Sequence, residues 1–270
     1  EAALRLNAVD VAQNIAALQW GRLLAVDAAR VIALARLEQT ATPDIADEMQ
    51  SSASLISFFA KQLTTYQNDA YAAEFTAVIK TFMNWLEKAG LDADHFGCKA
   101  ARALYRAMAI KDEYEVARLL TSSKARQNIA DMAGANAKIT YHLAPPFLSW
   151  IRDKDGHPRK LKFGGWLTPI LRGIGKMRHL RGRWYDPFGY GHAKQHEQRH
   201  KGAVIAWLQQ LGDIPQTCPP SQLEKMLDLM LSIRGYGHVK EQNYQAACPQ
   251  IEACLEAMRM PPHTVDTAAE

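Results

Sequence analysis

Side chains able to do chemistry gather in three parts of this 270-residue chain. The stretch Ser232-Ile-Arg-Gly-Tyr-Gly-His-Val-Lys-Glu-Gln-Asn243 sets two glycines beside Arg234, His238 and Lys240. That mixture suits an anion: glycine lets backbone N–H groups approach an oxyanion, and the cations offset its charge. A phosphate cradle of this kind needs a strand before the turn and a helix after it. Here the preceding residues carry Leu223, Leu227 and Leu231 at helical spacing, so the stretch reads as a corner between two helices, with Gly235 as the stop. Arg234, His238 and Lys240 then crowd the junction, pairing with carboxylates such as Glu115 or holding an anion.

The second part is the middle of the chain. Trp150 to Lys201 holds 13 Lys and Arg against 4 Asp and Glu, a balance of +9, so with a net charge of +4 the remainder carries −5. Arg178, Arg181 and Arg183 stand at its centre. One reading is a surface for an acidic partner or a phosphate-bearing cofactor. The other is a set of arginines paired with acidic helices, and the third part, Lys111-Asp-Glu-Tyr-Glu115, supplies such a helix. Asp112 falls on the face marked by Tyr105, Ala109 and Val116. A carboxylate on an apolar face needs a partner, most simply an arginine. A buried salt bridge from this segment to the basic middle is therefore expected ahead of general acid–base work. Lys111, Asp112, Glu113, Glu115 and Arg118 form the expected structural ion-pair set.

His192, His196 and His200 recur at i, i+4 and i+8, which is metal-ligand spacing on a helix. Lys194, Arg199 and Lys201 oppose a dication there and only Glu197 is near, so the spacing reads as an exposed polar face with no metal. Cys98, Cys218, Cys248 and Cys254 form no C-x-x-C pair and read as free thiols of a reducing cytoplasm. No P-loop, dinucleotide fingerprint, G-x-S-x-G or H-E-x-x-H occurs. No residue is assigned a catalytic role.

The elements that must position these groups are mainly helical. Val11, Ile15 and Leu18 mark a first amphipathic segment, and Asp27 caps a second. Thr42-Pro43-Asp44 signals a helix start and the pattern runs to Lys88, broken near Tyr66-Gln67-Asn68-Asp69 and ended by Gly90. Cys98 to Leu120 reads as one helical block. Residues 139–190 are dense in proline, glycine and aromatics, and predict an ordered, loop-rich section with at most two short strands, Ile139–Leu143 and Leu161–Phe163. Helices are expected again over His192–Leu211, from a capping box at Ser221-Gln-Leu-Glu224, and over Val239–Met258. The tail from Pro261 is expected to fray. The fold class is thus mainly α. The domains read as a helical tail over 1–35, a helical domain over 36–260 and a terminal tail over 261–270. No run is apolar and long enough to span a membrane, and the first residues lack a signal-peptide pattern.

Seven phrases coincide, in order, with one family: LNAVDVAQNIAALQWGRL, LTTYQNDAYAAEF, YRAMAIKDEYEVARLL, YHLAPPFL, KFGGWL, LRGRWYDPFGY and IRGYGHVKEQN. The chain resembles the C-terminal region of the long, fused form of indolepyruvate ferredoxin oxidoreductase. Ala8, Gly165 and Arg183 depart from the glycine, proline and threonine expected there. The resemblance implies part of an enzyme that oxidatively decarboxylates aryl-2-oxoacids to aryl-acetyl-CoA while reducing ferredoxin. Thiamine diphosphate and 4Fe-4S clusters would be held by upstream domains and none by this segment alone. The first 35 or so residues would be the tail of the preceding catalytic, gamma-like domain. The expected partners are those upstream domains, ferredoxin, coenzyme A and the aryl-2-oxoacid. A homo-oligomer is expected, without nucleic acid or membrane, in the cytoplasm. Assembly, and docking of ferredoxin or coenzyme A on the basic middle, are the expected roles. The alternative is an independent helical module that binds a protein or nucleic acid and has no activity of its own.

Overall fold

The computed structural model describes residues 11–35, 51–134, 137–144, 159–189, 191–215 and 219–259. Cys218, the Thr42-Pro43-Asp44 start, the double proline at 145–146 and the terminal tail lie outside them. The fold is mainly α, with one two-stranded antiparallel sheet among the described residues. Chain contacts divide it into residues Glu1–Met49 and Gln50–Glu270. The expected division at residue 35 falls at the edge of the stretch that is not described.

In the first unit, α1 (Val11–Val26) packs on α2 (Ala28–Ala35). Asp27 sits between them and its Oδ1 accepts from the Arg30 N–H at 2.9 Å, the expected cap.

The second unit is built on α3 (Ser52–Tyr66), α4 (Asp69–Lys88) and α5 (Ala93–Met108), which pack pairwise. Leu55, Leu63, Phe75, Ile79, Phe82, Leu86, Leu104 and Met108 are fully buried between them. Each such Leu or Phe contributes about 1.5–3 kcal/mol. Small residues Ala100, Ala101, Ala103 and Ala107 line the inner face of α5 and let its neighbours come close. The break expected near Tyr66 is a tight one, and Asn68 caps α4 by accepting from the Tyr71 N–H at 2.9 Å. Gly90, at φ 65°, follows the end of α4 as expected.

The helix expected to run unbroken from Cys98 to Leu120 is two helices. α5 ends at Met108, and α6 (Glu113–Leu120) restarts with Asp112 as its cap, accepting from the Glu115 N–H at 2.9 Å. An aspartate before an acidic first turn favours a helix start over a helix interior. α7 (Ser123–Ala133) follows, capped by Ser122.

Both expected strands form: β1 (Tyr141–Leu143) pairs with β2 (Leu161–Phe163), Tyr141 opposite Phe163. α8 (Thr168–Lys176), flanked by 3-10 turns over 165–167 and 177–180, lies in the section expected to be loop-rich. It packs on α6, and Gly175 is the reason it can. A Cβ there would lie 3.1 Å from the Arg118 Cα and backbone N. Ala117, Tyr141 and Leu171 form a small second core with Leu120, Phe163 and Ile174.

α9 (His192–Gln210) lies on α4 and α5; α10 (Pro220–Ser232) lies on α5 and α11 (His238–Arg259). The expected capping box is displaced. Pro220 takes the first position of α10 and Pro219 the cap, which leaves Ser221 inside the first turn. No described helix is long and apolar enough to cross a membrane.

Candidate functional site

Asp112 is where the sequence and the geometry meet. It caps α6, and its carboxylate faces the loop after α8. Arg181 donates to it twice, Nε to Oδ2 at 2.5 Å and Nη2 to Oδ1 at 2.8 Å. Both side chains are about 95% buried. The guanidinium also donates through Nη1 to the Tyr66 carbonyl and lies 3.7 Å from the centre of the Tyr66 ring. Burial alone would lower the Arg181 pKa, but the bond to Asp112 and its charge raise it. Burial pushes the Tyr66 phenol up, with the Asp112 charge adding to it.

A second carboxylate completes the network. Asp186 is fully buried. Its Oδ1 accepts from the Tyr114 hydroxyl at 2.8 Å and the Phe188 N–H at 3.0 Å; its Oδ2 accepts from the Gly182 N–H and Lys194 Nζ, both at 3.1 Å. Burial works to raise its pKa, yet these four donors together hold it below the usual carboxylate range. Lys194 also stands 3.8 Å from Asp112. Two carboxylates, one guanidinium and one ammonium thus balance inside the fold.

This assigns the residues singled out in the sequence. Arg181 is not the surface cation expected from the basic middle, because Asp112 and the Tyr66 carbonyl occupy its donors. Glu115 pairs with Arg118 on the same helix at 2.6 Å, not with the corner before α11. Glu113 is half-buried, and burial raises its pKa. Lys111 stands 5.0 Å from the centre of the Tyr236 ring, a cation–π contact to the corner itself. Arg183 is exposed and Arg178 half-buried.

Among the described residues, the basic middle presents several cations to solvent as a cationic surface. Lys160, Lys162, Arg172, Lys176 and Arg183 are exposed. Trp184 is 83% and Trp166 64% exposed, unusual for so large an apolar side chain. Trp166, Ile170 and Met177 recur at helical spacing along the outer side of the 3-10 and α8 segment, opposite Leu171. Aromatics interleaved with cations suit an acidic macromolecular surface.

The corner Ser232–Asn243 is the helix–helix connection read from the sequence. Gly235 and Gly237 have φ of 102° and 57°. Arg234 donates from Nε to the Leu231 carbonyl at 2.9 Å and so finishes α10. Lys240 crosses to α9 and binds Glu197 at 2.5 Å, while His196 meets Glu241 at 2.8 Å. His238 is exposed. Apart from Arg234, these groups, with Gly237, His200 and Tyr244, line a cavity of about 310 Å³ between α9 and α11.

His200 is the residue sequence reasoning misplaced. The spacing of three histidines suggested an exposed face, but His200 is only 4% exposed, edge-on to the Tyr244 ring at 5.7 Å. Burial, with Lys240 nearby, lowers its pKa to about 4. Neither ring nitrogen has a hydrogen-bond partner. Among the described residues, no His, Cys, Asp or Glu group converges as a metal site.

Compared with known proteins, residues 52–253 match the model of DUF6537, described as a family of unknown function. No curated protein and no solved structure matches the chain. The matched span runs from the start of α3 into α11, and so takes in the buried ion network, the cationic surface and the cavity. With more than half of its residues matched, the chain belongs to the DUF6537 family.

Proposed function

We propose that this chain is the C-terminal accessory part of an indolepyruvate ferredoxin oxidoreductase, an enzyme that converts aryl-2-oxoacids and coenzyme A to aryl-acetyl-CoA. In that reading it helps to assemble the enzyme and offers a cationic, aromatic docking surface to an acidic ferredoxin. Thiamine diphosphate and the iron–sulfur clusters belong to the upstream domains, and the compartment is the cytoplasm.

What carries the reading is a coincidence of sequence and contact. Three of the seven matching phrases supply the buried network: Tyr66 from LTTYQNDAYAAEF, Asp112 and Tyr114 from YRAMAIKDEYEVARLL, Arg181 and Asp186 from LRGRWYDPFGY. The phrases therefore hold the groups whose loss would leave charge buried. The charged groups of the network are engaged with one another, which suits assembly better than chemistry.

The test is charge reversal of Arg172, Lys176 and Arg183 in the complete enzyme. Ferredoxin reduction should slow about tenfold at low salt and lose its salt dependence. An unchanged rate and unchanged salt dependence would exclude docking at this surface. Exposed Trp166, Trp184 and Tyr185 beside cations also suit stacking on a single-stranded nucleic acid. That reading requires the isolated chain to bind oligonucleotides with an affinity that falls steeply with salt.

A further inference from the structure

We propose that the turn Arg183–Asp186 is a preformed anchor that seats Trp184 in an apolar pocket rimmed by carboxylates on an acidic partner protein, and that the buried Asp186 positions the turn for it. The inference rests on the docking part of the proposed function and names the residues that give that docking its specificity.

The turn is closed by its own backbone. The Leu180 carbonyl accepts from the Arg183 N–H and the Arg183 carbonyl from the Asp186 N–H, both at 3.0 Å. Trp184 and Tyr185 are therefore the two central residues of a β-turn. Gly182, at φ 72°, takes the left-handed conformation just before it. Both flanks are tied inside the protein. Arg181 binds Asp112 at 2.5 and 2.8 Å, and Asp186 accepts from the Tyr114 hydroxyl at 2.8 Å and from Lys194 at 3.1 Å. Asp186 also reaches back to the Gly182 N–H at 3.1 Å and forward to the Phe188 N–H at 3.0 Å. A buried carboxylate that gathers four donors around one turn fixes its shape, and a fixed shape lowers the ordering cost of binding.

What the turn displays is large and apolar. Trp184 is 83% and Tyr185 45% exposed, and their rings meet edge to face at 5.2 Å and 88°. Trp, Tyr and Arg are the residue types that most often anchor protein interfaces. The charge around them sets the sign of the partner. Asp186 is the only acidic residue between Leu161 and His196, and it is fully buried. Lys162, Arg172, Lys176 and Arg183 of the same section are exposed, so the charge they show to solvent is positive and complements an acidic surface. Two perpendicular rings cannot both stack on successive bases of a single strand, which favours a protein pocket over a nucleic acid.

The experiment follows reduction of an acidic ferredoxin by the complete enzyme. Trp184→Ala should raise the KM for ferredoxin at least about tenfold and leave kcat within about twofold, because the anchor acts in binding. Trp184→Phe, which keeps an aromatic ring, should raise it less. Trp166→Ala, an exposed tryptophan before α8, should leave it within about twofold. Asp186→Asn, shown to be folded by circular dichroism, should raise the ferredoxin KM about threefold or more without moving the coenzyme A KM. If it fails to fold, Tyr114→Phe carries the same comparison. A ferredoxin KM unchanged by Trp184→Ala, with salt dependence still lost on reversing Arg172, Lys176 and Arg183, would overturn the anchor and leave the docking surface standing. No ferredoxin reduction by the parent would overturn both. Inhibition of the parent by a single-stranded oligonucleotide or by phosphatidylserine vesicles, lost in Trp184→Ala, would assign the turn to a nucleic acid or a membrane and overturn the protein pocket.

Discussion

Arg181 grips Asp112 with two parallel hydrogen bonds of 2.5 and 2.8 Å across 69 residues of sequence, inside the protein. The contact joins the start of α6 to the loop after α8. It also explains why a carboxylate interrupts an otherwise apolar face. Removing the guanidinium with Arg181→Met leaves Asp112 buried without its main counter-charge, which should cost about 3–5 kcal/mol. Asp112→Asn in the same chain should recover part of that loss, since it removes the stranded charge and keeps a capping oxygen. Urea unfolding of the single and double variants measures both, and additive losses would show that the two residues do not act as a pair.

Acid should weaken the fold in two separate windows. His200 has its pKa lowered from 6.5 to about 4 in the folded state. The unfolded chain then binds the extra proton first. The contribution of about 3 kcal/mol is fully present above pH 6.5 and is lost as pH falls from 6.5 towards 4. Asp186 is also depressed, so its contribution is present above the usual carboxylate range and is lost only at lower pH. The melting temperature should therefore hold from pH 7.5 to 6.5 and fall from there to 4.5 for the parent, and the fall should be flatter for His200→Phe. Equal slopes would deny the buried neutral imidazole.

Gly173 and Gly175, two residues apart in α8 and so on opposite sides of it, should respond oppositely to alanine. At Gly175 the new Cβ would meet the Arg118 backbone at 3.1 Å, with no flexible side chain to yield. Gly175→Ala should cost about 1–3 kcal/mol by separating α8 from α6. Gly173 has open space around it, so Gly173→Ala should stabilise α8 by about 0.5–1 kcal/mol. Melting temperatures of the two variants decide it.

Tyr114→Phe removes one of four donors to Asp186 without changing the ring that meets Phe188 edge-on at 5.2 Å. It should cost about 1–3 kcal/mol. It should also shift the acid unfolding midpoint upwards, because a less well solvated Asp186 carboxylate takes up its proton sooner. An unchanged acid midpoint would show that the hydroxyl does not support the charge.

Much of this was legible in the sequence, and the exceptions have physical causes. Tyr66 to Asp69, Gly90, the two strands and the corner at Gly235 are local signals, set by caps, glycine conformation and alternation. The need of Asp112 for an arginine could be read from its apolar face, but not which arginine, since that depends on a contact across 69 residues. α8 was hidden because Gly173 and Gly175 read as breakers, whereas Gly175 is there for helix contact. His200 was misplaced because spacing along α9 defines a face without saying what covers it; Tyr244 of α11 does. Trp166 and Trp184 lie in the aromatic-rich section expected to be ordered, and they face outward.

The proposed function makes this chain part of a thiamine-dependent, ferredoxin-reducing enzyme. The most direct test is to capture the native chain from cells with an antibody and assay the captured protein for thiamine diphosphate, iron and sulfide. The same sample is then assayed for coenzyme A-dependent decarboxylation of indolepyruvate. All three components should be present, and added ferredoxin should be reduced during turnover. Capture of the chain without thiamine diphosphate, iron or decarboxylation would contradict it.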